Sequence, residues 1–167
     1  MSVTRTPKTV TNNPAIPYNS AFVTWTVDTA IYADKDQFGD IEEFASILTA
    51  VDGTMTIESI TLIDDDKLSP DLDVLIFDSE PTLTSSDNGA LAMSVANLQK
   101  CRVRVEVRAC NWSDLSGQTI AQVKVGEPIK GINGDASLFV VIQNRTNAGV
   151  TPIATDSISL SISAMRD

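Results

Sequence analysis

Histidine is absent from these 167 residues, and cysteine occurs only as Cys101 and Cys110. Without imidazole there is no Ser-His-Asp or Cys-His nucleophile system, no His-bearing zinc site and no imidazole proton shuttle. Two thiols are too few for a four-thiolate metal cluster within one chain. Aromatic residues supply 5% of the sequence, too little to line the cleft in which a carboxylate pair cleaves sugars. Positive charge is scarce as well: 12 Lys and Arg face 22 Asp and Glu, for a net charge of −10. A phosphate-backbone partner needs a positive patch, so no nucleic acid is expected. The longest clean apolar run, Leu138 to Ile142, is far short of the roughly 20 residues that span a bilayer. The first residues hold Arg5 and Lys8 but no apolar stretch of the secretory type, so synthesis in the cytoplasm is expected, with no membrane partner. These absences predict neither an enzyme nor a cofactor.

What is present suffices for one core. The chain is 43% apolar and 20% charged, the balance of an ordinary globular domain. At this length about 69% of the unfolded surface is buried on folding. Residues 1–20 differ from the rest: Pro7, Pro14 and Pro17 sit among Thr and Asn with no acidic residue. Proline fixes φ and biases the residue before it to extended geometry, so an extended N-terminal arm is expected over 1–20 and one domain over 21–167. Arg5 and Lys8 give the arm +2, which leaves −12 on the body.

From residue 21 the dominant period is two. Val23, Trp25 and Val27 alternate with Thr24 and Thr26; Val103, Val105, Val107 and Ala109 alternate with Arg102, Arg104, Glu106 and Arg108; Ile158, Leu160 and Ile162 alternate with serines. Strands with one buried and one wet face produce this pattern. Further strands are predicted over 54–63, 72–78, 120–125 and 137–143. The last is nearly continuous in apolar residues, as for a strand covered on both sides. Asp52-Gly53, Ser69-Pro70-Asp71, Asp87-Asn88-Gly89, Ser116-Gly117, Asn133-Gly134 and Asn147-Ala148-Gly149 punctuate the runs. Only two stretches have helical spacing. Residues 40–49 place Ile41, Phe44 and Leu48 on one face and form either a short helix or a strand. Residues 88–99 align Leu91, Val95 and Leu98 in a short crossover helix. The expected fold is an all-β jelly-roll or Greek-key sandwich with at most one or two short helices.

Several side-chain groups invite a chemical reading. Asp64, Asp65 and Asp66, followed by Asp71, Asp73 and Asp78, resemble an oxygen-rich calcium loop but lack the EF-hand spacing, so a solvated hairpin loop is the simpler expectation. Trp25 falls in an apolar phase and is expected in the core, while Trp112, beside Asn111 and Ser113, is the candidate exposed aromatic. Cys101 and Cys110 bracket one extended run and stand too far apart to pair, so free thiols are expected. Arg102, Arg104 and Arg108 share one strand face, a basic stripe suited to acidic patches on a partner or sister subunit. The candidate interface residues are therefore Arg5, Pro7, Lys8, Pro14, Pro17 and Tyr18 in the arm, and Arg102, Arg104 and Arg108 on the stripe.

Four segments carry a resemblance: Ile31-Tyr-Ala-Asp-Lys-Asp-Gln-Phe-Gly39; Ile57-Glu-Ser-Ile-Thr-Leu-Ile-Asp-Asp65 running into Leu72-Asp-Val-Leu-Ile-Phe-Asp-Ser-Glu-Pro-Thr82; Asp87-Asn-Gly-Ala90; and the ending Leu160-Ser-Ile-Ser-Ala-Met-Arg-Asp167. Over most of residues 28–167 the chain resembles a family of head decoration, or cement, proteins of tailed bacteriophages. The resemblance implies a jelly roll sitting on the outside of the capsid as a dimer or trimer, with the major capsid protein as partner, assembled in the bacterial host cytoplasm. It carries no site motif. The alternative reading is a receptor- or glycan-binding module, or a tail, fibre or adaptor component of the virion.

Overall fold

The computed structural model describes residues 15–48, 53–131 and 136–166. In chain order the strands are β1 (Ile16–Asn19), β2 (Val23–Trp25), β3 (Glu42–Phe44), β4 (Thr54–Asp64), β5 (Leu72–Phe77), β6 (Cys101–Val107), β7 (Trp112–Asp114), β8 (Thr119–Lys130), β9 (Leu138–Asn144) and β10 (Ile158–Arg166). One sheet runs β1-β10-β4-β8-β7, with β2 continuing the β1 edge along β10, and the other runs β3-β9-β5-β6. Every pairing is antiparallel.

The pairs β2 with β10, β3 with β9, β4 with β8 and β5 with β6 are nested, one inside the next. The chain is thus one long hairpin rolled over itself, with β2-β10-β4-β8 facing β3-β9-β5-β6. This is a jelly roll.

The alternating residues behave as their period requires. Val103, Val105 and Val107 of β6 point inward, as do Ile158, Leu160 and Ile162 of β10. They meet Trp25, Phe44, Met55, Ile57, Ile60, Leu62, Val74, Ile76, Leu138 and Val140 in one core. In β4 the buried positions change from odd (Met55, Ile57) to even (Ile60, Leu62), which a regular strand cannot do. Glu58 is the extra residue: the register jumps across it against both β10 and β8, and opposite it Val125 and Gly126 are skipped in β8. Gly126 takes φ +75° there, as a bulge glycine does.

β9 is buried on both faces, as its apolar run predicts. Its outer face joins Leu75 and Phe77 of β5 with Phe139 and Val141 in a second apolar cluster. The excursion over residues 79–100 covers it, contributing Leu83, Leu91 and Met93.

Three expectations need correction, and the open alternative over 40–49 is decided in favour of a strand. Residues 16–19 belong to a strand, so the sandwich begins inside the 1–20 segment; residues 1–14 lie outside the described residues, as do Asp52 and Asn133-Gly134. The stretch 40–49 holds strand β3, because Ile41 and Phe44 serve opposite faces, the outer cluster and the main core. The helix expected over 88–99 shrinks to α1 (Val95–Leu98), capped by Ser94 and burying none of its residues. The alternation after Val107 ends at Arg108, where a 3-10 turn over Ala109–Asn111 begins.

Gly39 sits over Trp25 with φ +72°; a Cβ there would lie 2.7 Å from Trp25 Cδ1 and 2.9 Å from the Thr26 carbonyl. Gly39→Ala is expected to cost about 2–4 kcal/mol and lower the thermal midpoint by about 5–15 °C. Gly117→Ala, where nothing lies within 4 Å of the new methyl, is expected to leave calorimetric unfolding unchanged.

Candidate interaction surfaces

The arginine stripe of β6 lies on the outer sheet face, as its period dictates, but it is not a free positive patch. Antiparallel pairing sets Asp73 of β5 opposite Glu106, and Asp73 is only 3% exposed. Arg104 reaches Asp73 at 2.8 Å and Glu106 at 2.9 Å; Arg108 reaches the same two carboxylates at 3.0 Å each. Arg108 also donates to the Leu72 carbonyl at 2.9 Å. Arg102 pairs with buried Asp78. The hydrogen bond to Asp73 holds the Arg104 guanidinium above its ordinary pKa. The stripe is therefore locally neutralised by carboxylates that sequence spacing alone does not bring to it.

The acidic turn is also internally committed. Asp64, fully buried, accepts from the Asp66 N–H at 3.0 Å and the Ser69 N–H at 2.6 Å. Asp66 Oδ2 accepts from the Ile153 and Ala154 N–H groups at 2.7 and 3.1 Å. Asp71 Oδ1 takes the Ala109 N–H at 2.7 Å. Among the described residues no group of three or more Cys, Asp or Glu side chains is placed to hold a metal ion. Burial pushes the Asp64 carboxyl above its usual range, against the opposing pull of its backbone donors.

These contacts have a common location. Ile158 lies opposite both Asp64 and Trp25, and Asp64 lies opposite Thr119, so the segments 26–41, 65–71, 108–118 and 145–157 gather at one pole. They are stitched across one another: Tyr32 and Val150 exchange backbone bonds at 2.7 and 3.0 Å, Val27 donates to Thr155 at 2.8 Å, and Lys67 pairs with Asp114 at 2.7 Å. Three large aliphatic side chains project from this pole: Ile31, Leu115 and Ile153, exposed by 62%, 49% and 76%. Sequence reasoning passed over all three. For Leu115 and Ile153 the signal is an aliphatic residue in a turn-rich context, as in Ser-Asp-Leu-Ser-Gly and Thr-Pro-Ile-Ala-Thr; Ile31, between Ala30 and Tyr32, lacks even that.

Trp112, expected to be exposed, is half-buried against the core with its Nε1 donating to the Pro70 carbonyl at 2.9 Å. Trp25 is in the core as expected, donating to the Asp40 carbonyl at 3.0 Å. Cys101 is half-buried and Cys110 exposed, both as free thiols. Of the arm candidates, Arg5, Pro7, Lys8 and Pro14 lie outside the described residues. Pro17 and Tyr18 are in β1, and the Tyr18 ring lies 3.2 Å from the Arg166 guanidinium carbon. Ile16 pairs with Arg166, so the chain enters the sheet at the pole opposite the stitched loops.

The excursion over 79–100 is fastened at its middle. Asp87 Oδ1 accepts from the Tyr32 hydroxyl at 2.5 Å and the Gly39 N–H at 2.7 Å, while Gln37 and Gly89 are joined at 2.8 Å. Burial and the bond to Asp87 push the Tyr32 hydroxyl far above its ordinary pKa. The two segments singled out in sequence, 31–39 and 87–90, are thus partners in space.

No family model matches the chain, and no curated protein does. A solved structure described as Desmodium yellow mottle tymovirus is similar at 10% sequence identity and a TM-score of 0.29, over 100% of this chain and 94% of that one. A likeness that distant assigns neither family nor activity.

Asp73→Asn removes the hub of the ladder, and its half-exposed arginine partners limit the expected loss to about 1–2 kcal/mol. Glu106→Gln, at a half-exposed position, is expected to cost less than about 1 kcal/mol, both variants being compared with the parent chain by urea titration. For Asp64 the folded state holds its proton more tightly than the unfolded chain. Its contribution is therefore full below the unfolded pKa and is lost as pH rises through the elevated folded value. Asp64→Asn is expected to flatten the fall in unfolding free energy as pH rises above the ordinary Asp range, measured by denaturant titration at each pH.

Proposed function

We propose that this chain is a non-enzymatic structural protein of a tailed-phage virion, binding the outside of the capsid as a cement or decoration protein that stabilises the head. The observation that carries the reading is the stitched pole of a jelly roll, an architecture used by viral capsid and lectin domains. A cement contact needs a rigid surface with apolar anchors. Here backbone groups and carboxylates tie four segments together, and Ile31, Leu115 and Ile153 stand clear of them. Fully desolvated anchors of this kind supply most of an interface's energy, and polar surroundings exclude water.

The segment 1–14 completes the picture as a strap to a neighbouring subunit or to the major capsid protein. It carries Arg5 and Lys8, no acidic residue and two prolines, and strand β1, which follows it in sequence, begins at the far pole. Free thiols at Cys101 and Cys110 fit assembly in a reducing host cytoplasm. The glycan-binding alternative draws on Trp112 and the acidic turn. The Trp112 indole is half-buried with its N–H bound to the Pro70 carbonyl, and Asp64 and Asp66 are taken up by backbone N–H groups, so both features favour it less.

Quantitative mass spectrometry of purified virions separates the possibilities: hundreds of copies per particle are expected, and a few copies, the number of a tail or fibre component, would overturn the reading. On capsids stripped of the chain, Ile31→Asp with Ile153→Asp is expected to weaken co-sedimentation at least about tenfold, a loss of about 1.4 kcal/mol or more. Unchanged co-sedimentation would remove this pole from the contact.

A further inference from the structure

The pole from which Ile31, Leu115 and Ile153 project is also where negative charge gathers. Its segments, 26–41, 65–71, 108–118 and 145–157, hold nine Asp against four Lys and Arg, half of the net charge of −10 on under a third of the residues. Some of this charge is matched within the pole: Lys67 pairs with Asp114, and Arg145 with Asp34. Asp28, Asp65 and Asp156 differ. All three are exposed, and among the described residues none of them has a cation within ion-pair distance.

The backbone brings these three together from separate segments. β2 and β4 flank β10 on opposite sides, and the flanking continues past the sheet. The Val27 N–H donates to the Thr155 carbonyl at 2.8 Å, and the Asp65 N–H donates to the Ser157 carbonyl at 2.9 Å. Asp28 and Asp65 thus lie on the chain segments that border Asp156 on its two sides. Two of the projecting aliphatics are their neighbours. Asp66, next in the chain to Asp65, accepts the Ile153 N–H at 2.7 Å. Ile31, one short turn on from Asp28, lies against the 147–149 turn, where a Cβ on Gly149 would come 2.9 Å from Ile31 Cδ1.

A partner that covers Ile31 and Ile153 covers these carboxylates too. An ionised carboxylate taken out of water with no opposite charge loses more than a buried aliphatic side chain returns. A neutral or acidic occupant therefore forfeits what the apolar anchors supply. One that sets Lys or Arg against the three carboxylates recovers the loss through charge-assisted hydrogen bonds, and its opposite charge speeds the encounter. We propose that the surface this pole docks on is basic, with Lys and Arg around apolar hollows on the capsid, and that Asp28, Asp65 and Asp156 steer the encounter and select the partner. The assignment rests on the pole being the capsid contact proposed above.

Surface plasmon resonance of the full chain on immobilised capsids stripped of it supplies the test. Raising NaCl from about 50 to about 500 mM shortens the screening length from about 14 to about 4 Å, and is expected to slow association at least about tenfold with little change in dissociation. Asp28→Asn with Asp65→Asn and Asp156→Asn keeps the side-chain shapes, including the oxygen that accepts the Ala30 N–H. This triple change is expected to slow association about tenfold at about 50 mM NaCl, to flatten the salt dependence and to leave the thermal midpoint unchanged. Glu58→Gln with Glu80→Gln and Glu127→Gln alters net charge equally at exposed positions outside the pole, and is expected to leave association within about twofold of the parent. Association indifferent to salt and to the Asp changes, association quickened by them, or an equal loss from the Glu changes would each overturn the basic partner while the capsid contact stood. A chain that fails to bind the stripped capsids at all would overturn the capsid reading and this inference with it.

Discussion

Strand β10 is the piece on which the rest of the sandwich closes. It lies between β4 on one side and β1 with β2 on the other, so the partners of residues 16–25 are residues 158–166, almost the whole described chain away. Where β1 ends and β2 has not begun, Ser20 bridges the gap: its N–H donates to the Ile162 carbonyl, and its hydroxyl oxygen accepts the Ile162 N–H. Until β10 is in place, β4 lacks half its ladder and the edge strands have nothing to pair with. Loop-closure entropy grows slowly with length, but here it precedes most of the rewarding contacts. A jelly roll of nested, non-local pairs is accordingly expected among the slow folders.

The one-sided strands were legible in the sequence because burial on one face imposes period two, as in β6 and β10. The run Leu138 to Ile142 was legible for the opposite reason, since unbroken apolarity means cover on both faces. What provides the cover was not legible. Leu91, Val95 and Leu98 match a helical stripe, but a spacing of three or four says only that residues share a face if a helix forms. Leu91 instead joins the outer cluster, while Val95 and Leu98 face solvent. β1 was hidden because Pro17 and its polar neighbours satisfy an extended arm as well as an edge strand, and only β10 decides between them. In β4 the slip from odd to even apolar positions was written in the sequence, and its meaning appears only against two partner strands. The stripe of Arg102, Arg104 and Arg108 was placed on the right face, yet its charge was misjudged, because Asp73 and Asp78 reach it from around the neighbouring strand.

The acidic composition reads differently once partners are assigned. Asp64, Asp66, Asp71 and Asp87 each accept backbone N–H groups from segments that form no regular ladder, and Asp73 and Asp78 anchor arginines. A sandwich with long connections must satisfy many backbone donors outside its sheets. Short carboxylates do so here at the middle of the excursion and throughout the looped pole. Part of the body's acidic excess is thus the fastening of the loops.

That fastening has a thermodynamic consequence for any contact the pole makes. Ordering a loop on binding costs conformational entropy for every residue fixed, and that cost is subtracted from affinity. With Ile153 held by Asp66 and Tyr32 bound across to Val150, the ordering has already happened during folding. Association there resembles the meeting of two rigid bodies: little reorganisation slows the encounter, and a mismatch of shape finds no compliant segment to absorb it.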